Sequence, residues 1–389
     1  MTGRNGAVYA AAVVGLGAMG SAALFHLTRR GLGTGDRRVI GLEQFEPGHD
    51  RGSSHGESRA IRLGYSEHPS YVPLLRRAFR NWRALEKLSE TAFLTTTGIL
   101  EAGKPGSRMV AGSLEACLLH HLPHERLDAA EVNRRFPAFA LPDGYSAVWQ
   151  SEGGFLQPEV ADQAHRALAA AAGAEIATRA RVLAIEPERD AVILRLADRQ
   201  IAARRLVIAA GPWSADLLPQ LRPVLALKRQ VLCWYRPRNP AKFALGALPV
   251  FMVDGEDDIL YGFPDFRGSG FKCASHLGSR VLAQADDARQ DAGPEDERRT
   301  RRFLQTYLPE AAGPLLAMKT CIYTMTPDEN FILDLLPEDP RIVVASPCSG
   351  HGYKFASVIG EVAADLALDG ATAHDIGRFS IARFAGGTD

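Results

Sequence analysis

Residues 10–30 read AAAVVGLGAMGSAALFHLTRR. A run of small and β-branched apolar residues enters Gly15, and an amphipathic run leaves Gly20. That order is strand, tight turn, helix. Arg38–Glu43 (RVIGLE) follows as a second strand and completes a βαβ unit of about 30 residues. Gly15, Gly17 and Gly20 fit G-x-G-x-x-G. The first glycine permits the turn, the second lets backbone amides approach a pyrophosphate, and the third allows close helix–strand packing. Glu43 ends the second strand, where a carboxylate accepts from ribose hydroxyls. A glycine-rich turn with a surface glutamate is the competing reading. The strand before, the helix after and the placement of Glu43 together favour a dinucleotide site. Residues 6–25 also carry no charge and follow Arg4, so hydropathy alone suggests a signal peptide or a membrane span. The three glycines argue against both.

Outward from this unit, residues 44–65 are rich in Gly, Ser, His and Pro and read as a long loop, a kind of segment that is usually functional. Tyr71–Leu88 is an amphipathic helix introduced by Pro69-Ser70. Short strands and a helix around 112–121 fill residues 92–150, and Pro158–Ala172 is an Ala-rich helix. Three short strands are expected at 181–186, 191–196 and 200–203, and the apolar run 206–210 enters Gly211. Residues 224–280 are mostly strands, and Glu295–Tyr307 is a helix. The tail holds a strand at 342–345, a Gly-rich turn and a helix over 355–368. The pattern is βαβ, then a β-rich middle, then a return of α/β character. It predicts an α/β chain in which one nucleotide-binding domain is assembled from separated pieces around an inserted second domain.

The chain has 389 residues, with 45 Lys+Arg against 45 Asp+Glu. No global positive field exists to attract phosphates, so a nucleic-acid partner is not expected. Only seven of the basic residues are lysines, so each can be weighed by its position. The five cysteines stand at 117, 233, 273, 321 and 348, far apart and outside any CxxC pattern. They suit a reducing compartment better than a disulfide framework or a zinc site, and a cytoplasmic location is expected. No segment beyond residues 6–25 is long and apolar enough to suggest a bilayer span.

Further motifs lie downstream. Residues 52–62 read GSSHGESRAIR, 261–264 YGFP, 270–272 GFK, 319–328 KTCIYTMTPD and 349–355 SGHGYKF. With the glycine motif, and in this order from residue 13 to about 380, they make the chain resemble the monomeric sarcosine oxidase / N-methyl amino acid oxidase family. The resemblance implies an FAD-binding Rossmann-type domain of the glutathione-reductase-like kind, with an inserted β-rich antiparallel-sheet substrate domain. The divisions expected are 1–90, 152–224 and 322–389 for the FAD-binding part, and 91–151 and 225–321 for the substrate part. The implied reaction oxidises a secondary amino acid at its C–N bond to an imine and reduces O2 to hydrogen peroxide. A monomer or weak oligomer is implied.

Residue roles follow from the same resemblance. Cys321 would carry FAD covalently. Lys272 would stand near the flavin ring and assist oxygen activation, where a fixed ammonium stabilises developing superoxide. Arg62 and Lys354 would clamp the substrate carboxylate. Lys354 alone is an odd helix-start residue, since a cation there is unfavourable by ~0.3–1 kcal/mol. Tyr261, His276 and Tyr323 would line the substrate pocket, with Met252 as an apolar wall. His55, Arg59, Val182, Gly211, Gly350 and Gly352 would lie beside the cofactor. Arg59 and Arg62 share a face only if their stretch is helical. No carboxylate base stands among the matched residues, and two cations beside the substrate would lower its amine pKa. The chain departs from the family at Ala345-Ser346-Pro347-Cys348, where small residues and an aromatic are usual. That leaves sarcosine, larger N-methyl amino acids, proline-like cyclic amino acids and a biosynthetic intermediate as candidates. A dehydrogenase of the same fold and a non-catalytic flavin-binding subunit are the competing readings. Lys272 disfavours the first, and the joint presence of Lys272, Arg62 and Lys354 disfavours the second.

Overall fold

The computed structural model describes residues 8–276, 280–289, 292–346 and 349–385. The strand Ala11–Val14 is wholly buried and central in a six-stranded sheet. The order is Leu333–Leu336, Asp339–Ala345, Leu206–Ile208, Ala11–Val14, Val39–Leu42, Glu175–Ala177. All pairings are parallel except that of the Leu333–Leu336 edge. Burial on both faces explains the unbroken apolar run. Ala11 and Val13 pack into a helical core, whereas Ala12 and Val14 join a core with Val192, Leu194 and Ile201. Those three belong to an antiparallel meander over 184–203.

Ala18–Arg29 packs against Pro158–Ala171 and Ala356–Asp369. Close approach is the condition for the contact with Ala356–Asp369 and for the turn before the helix. A Cβ on Gly360 would lie 2.4 Å from the Ala22 carbonyl carbon, and one on Gly20 would lie 1.7 Å from the Gly15 oxygen. The third glycine of the motif thus serves packing, as expected.

The second layer is a nine-stranded sheet. Its path runs Arg280–Leu282, Ala226–Tyr235, Phe271–Ser275, Ile259–Phe263, Val250–Asp254, Ile99–Gly103, Ser146–Gln150, Glu125–Asp128, and Leu315–Met325 pairs with Ala226–Tyr235. Strand alternation divides its faces. Phe271, Cys233 and Cys273 join the core with helix Pro294–Tyr307, while Leu232, Trp234, Ala274 and Cys321 cluster on the other side. That second side faces the cleft described below.

Several expectations change in detail. The loop 44–65 contains a strand, Arg59–Ile61, paired with Gly154–Leu156; three residues are too short to show a period. Strand Leu315–Met325 runs across the expected division at 321/322. The first meander strand begins at Ala184, not 181. Helix Ala129–Arg135 was not anticipated, although its Asp128–Glu131 capping box is visible in the sequence. Among the described residues no helix is long and apolar enough to cross a membrane. Pro347 and Cys348, part of the departure noted above, lie outside the described residues.

A prediction follows from the glycine contacts. Gly20→Ala meets backbone and should cost roughly 3 kcal/mol, as overpacking does. Gly17→Ala would meet only the Ser54 hydroxyl at 3.3 Å. Thermal unfolding of the two variants should show a clearly lower midpoint for Gly20→Ala. Equal midpoints would contradict the packing role.

Candidate active site

The cleft begins at the turn after Ala11–Val14. Gly15 has φ +88°, and a Cβ there would stand 2.5 Å from the Ala209 oxygen. Helix Ala18–Arg29 has no acid in its first turn and Gly17 as its cap residue, with only the Ser54 hydroxyl accepting from the Ala18 amide at 3.1 Å. Its positive dipole end therefore opens on the cleft, beside Gly15, Gly17 and Met19. Glu43 lines the same wall and accepts from the Leu16 amide at 2.9 Å and the Phe45 amide at 3.0 Å. Burial pushes its carboxyl up, but His49 and these amides outweigh it and hold the pKa below the ordinary value. Val182 and Gly211 (φ +53°) line the cleft as well. A glycine cradle, a helix end without an acid in its first turn and a fixed carboxylate fit a dinucleotide.

Cys321 faces the same cleft from strand Leu315–Met325, where it pairs with Gln230. Its Sγ is buried, 3.8 Å from Arg59 Nη2 and 3.9 Å from the Ser53 oxygen. Tyr323, two residues on, shares its face. The Tyr323 hydroxyl donates to that of Tyr261 at 3.4 Å, and the His276 ring lies 5.7 Å from the Tyr323 ring. Met252 sits opposite Tyr261 in the ladder and completes this wall. Gly350 (φ +80°) presses on Tyr323, since a Cβ there would come within 2.6 Å of its ring. Gly352 lines the cleft beside it.

Arg62 and Lys354 also reach the cleft. The Tyr65 ring lies between them, 4.7 Å from the Arg62 guanidinium and 5.2 Å from Lys354 Nζ. Lys354 donates to the His351 oxygen at 2.8 Å. Arg62 Nη2 donates to Glu67 at 2.9 Å, and Nε lies 3.0 Å from Glu101 Oε1. The Nε–H does not aim at that oxygen, so the second contact is an ion pair rather than a hydrogen bond.

Neither carboxylate is among the residues matched by the resemblance, so the site holds two anions that the sequence reading did not name. Two cations face two anions, so the cluster is formally neutral before any ligand enters. The cations alone cannot be credited with lowering a substrate amine's pKa. Burial, aided by Arg62, brings Lys354 down to about 7 against the pull of Glu67 and Glu101. Partial burial would raise Glu67, yet Arg62 holds it at about 2. Arg59 and Arg62 are not on a shared helical face, because Arg59 opens a strand; both still reach the cleft.

Three expected residues stand behind the wall rather than in it. Gly20 is a packing contact. His55 is buried, neither ring nitrogen has a hydrogen-bond partner among the described residues, and burial together with Arg59 lowers its pKa to about 4. Lys272 is reached through Gly56 and Ser58: its Nζ donates to the Gly56 oxygen and to the Ser58 oxygen and hydroxyl at 2.8 and 3.0 Å. Burial, then Arg59, holds its pKa well below that of an ordinary lysine. Three acceptors nevertheless match the three donors of an ammonium.

With this geometry in hand, comparison identifies the class. Residues 10–366 match the family described as FAD dependent oxidoreductase, and the chain belongs to that family. Its cofactor is FAD. Within the family it is similar to monomeric sarcosine oxidase from Bacillus sp. (strain NS-129), 39% identical over 378 residues and 96% of each chain. It is 35% identical to N-methyl-L-tryptophan oxidase from Yersinia pestis (strain Pestoides F), over 96% of this chain and 98% of that one. The solved structure of NikD, an unusual amino acid oxidase essential for nikkomycin biosynthesis, superposes with a TM-score of 0.84 at 26% identity, covering 96% and 98% of the two chains.

Gly350→Ala should displace the Tyr323 ring and lower kcat/KM at least ~10-fold, because a misplaced pocket group loses orientation. FAD content and kcat/KM of the purified variant check this. Unchanged kinetics would show that the contact is dispensable.

Proposed function

We propose that the protein oxidises the C–N bond of an N-methyl or cyclic secondary amino acid to the imine, with O2 reduced to hydrogen peroxide. One observation carries this reading: Arg62 and Lys354, a pair suited to a carboxylate, open on the same cleft as Cys321 and the Tyr261–Tyr323–His276 wall. The relatives named for sarcosine and N-methyl-tryptophan oxidation support it. FAD, when bound, supplies the acceptor for the two electrons that leave the C–N bond. The chain's residues supply position and charge. The substrate carboxylate rests on the Nη side of Arg62 and on Lys354. Its carbon chain lies against Tyr261, Tyr323 and Met252. The amine is neutral when it reacts, and burial lowers the pKa of the nearby His276. The imine hydrolyses after release.

Cys321 is the proposed covalent anchor. It is buried, faces the cleft, and lies 3.8 Å from Arg59 Nη2. Acid-precipitated wild-type protein should retain its yellow colour and Cys321→Ala should lose it. A yellow Cys321→Ala pellet would move the anchor elsewhere. Lys272 is the proposed oxygen-activating charge. Lys272→Met should slow reoxidation by O2 far more than reduction by substrate, and equal slowing would remove that role. A cytoplasmic location is the reading supported by the free thiols of Cys117, Cys233, Cys273 and Cys321.

Peroxide release across a panel of N-methyl and cyclic amino acids tests the reaction and names the substrate. Turnover without peroxide would favour a dehydrogenase, and no turnover on any member would refute the proposal. The titration of Lys354 near 7 adds a pH signature. Its ammonium is present below that pH and lost above it. Affinity for a carboxylate ligand should be flat at pH 6 and fall as pH rises past about 7. Affinity that rises with pH would contradict the clamp.

A further inference from the structure

The strand Ile99–Gly103 is buried at every position, yet Glu101 stands in its middle and is 0% exposed. A carboxylate in such a place must be paired or give up its charge. Glu101 is paired on both oxygens. Oε1 lies 3.0 Å from Arg62 Nε. Oε2 accepts from the Ser113 hydroxyl at 2.6 Å and from Gln150 Nε2 at 3.3 Å. Gln150 in turn accepts from the Gly64 amide at 2.6 Å, which ties the backbone just after Arg62 to the same sheet. In the ladder Glu101 lies opposite Met252, and Met252 opposite Tyr261. Side chains in such a cross-strand row point to one face. Glu101 therefore continues, out of solvent, the row that forms the cleft wall.

From this placement we propose that Glu101 is a positioning residue that holds Arg62 by its Nε edge and keeps its Nη edge turned to the substrate carboxylate. The two anions on Arg62 differ in mobility. Glu67 is partly exposed on a turn, whereas Glu101 is sealed in a strand with a hydroxyl and an amide donor fixing it. Glu101 is thus the fixed partner, and the Nη edge is the one that can exchange ligands. The inference rests on the carboxylate-clamp reading above.

The test uses the FAD-loaded holoenzyme, with acetate as a probe that has the carboxylate and lacks the amine. Acetate is titrated against the visible absorbance of the bound cofactor, and sarcosine kinetics are measured beside it. Glu101→Gln keeps the shape but sets an amide or a neutral oxygen against the guanidinium. It should raise the acetate Kd and the sarcosine KM about tenfold, the effect of ~1.4 kcal/mol. It should leave kcat nearly unchanged, and Glu101→Asp should restore part of the affinity. An acetate Kd at the wild-type value in folded Glu101→Gln would overturn the proposal, as would a loss confined to kcat. If Glu101→Gln does not fold, Ser113→Ala decides. It keeps the charge, removes the shorter of the two hydrogen bonds to Oε2, and should weaken acetate by about threefold, a loss of ~0.7 kcal/mol; wild-type affinity there would equally overturn the role. Wild-type enzyme that neither binds acetate nor oxidises any panel member would instead refute the clamp itself.

Discussion

Arg62 is buried between Glu67 and Glu101, with Lys354 a Tyr65 ring away, and the arrangement of the substrate side depends on that balance. Burying an unpaired ion costs several kcal/mol, and a second like charge beside it adds to the cost. A clamp of two bare cations would not hold in so sealed a place. The chain meets the cost with one carboxylate from a turn and one from a strand. The electrostatic result is a site that is neutral at rest, and a ligand carboxylate competes with an internal one. Selectivity then comes from geometry and desolvation as much as from net charge.

The two sheets explain why this cluster meets a cofactor site at all. The six-stranded sheet ends its strand Ala11–Val14 at the glycine turn, and its helices close one face. The nine-stranded sheet turns one face to its own helix and presents the other to the cleft. Period-two alternation along 271–275 and 315–325 sorts the side chains. Cys273 goes to the core and Lys272 to the opposite face. Segment 52–62 joins the layers: Ser54 meets the helix start, Gly56 and Ser58 meet Lys272, and Arg62 meets Glu101.

The nucleotide layer was legible in the sequence because its signals are local. An apolar run, three glycines and a terminal glutamate lie within about 30 residues, and each has a backbone reason. The pocket residues were legible only through resemblance, since Tyr261 and Cys321 come together by strand pairing across long separations and Lys354 joins them from the helical turn Tyr353–Phe355. Glu67 and Glu101 were missed. Glu67 looked like any loop acid, and nothing local ties it to Arg62. Glu101 did leave a trace, a single charge inside the apolar run ILEAG between Gly98 and Gly103. Its partner could not be read, because the ion pair joins this strand to the residue just after the strand Arg59–Ile61 of another sheet. The same reason hid the three acceptors of Lys272, which come from segment 52–62, outside its own sheet.

The central claim is that the amino acid is held by its carboxylate while its C–N bond is oxidised. Anaerobic mixing of the holoenzyme with an N-methyl amino acid and, separately, with its methyl ester isolates that step from oxygen chemistry. The account predicts that the acid bleaches the bound cofactor's visible absorbance rapidly and that the ester does so at least ~100-fold more slowly, since it forgoes charge-assisted contacts to two cations. Equal bleaching rates for acid and ester would contradict it.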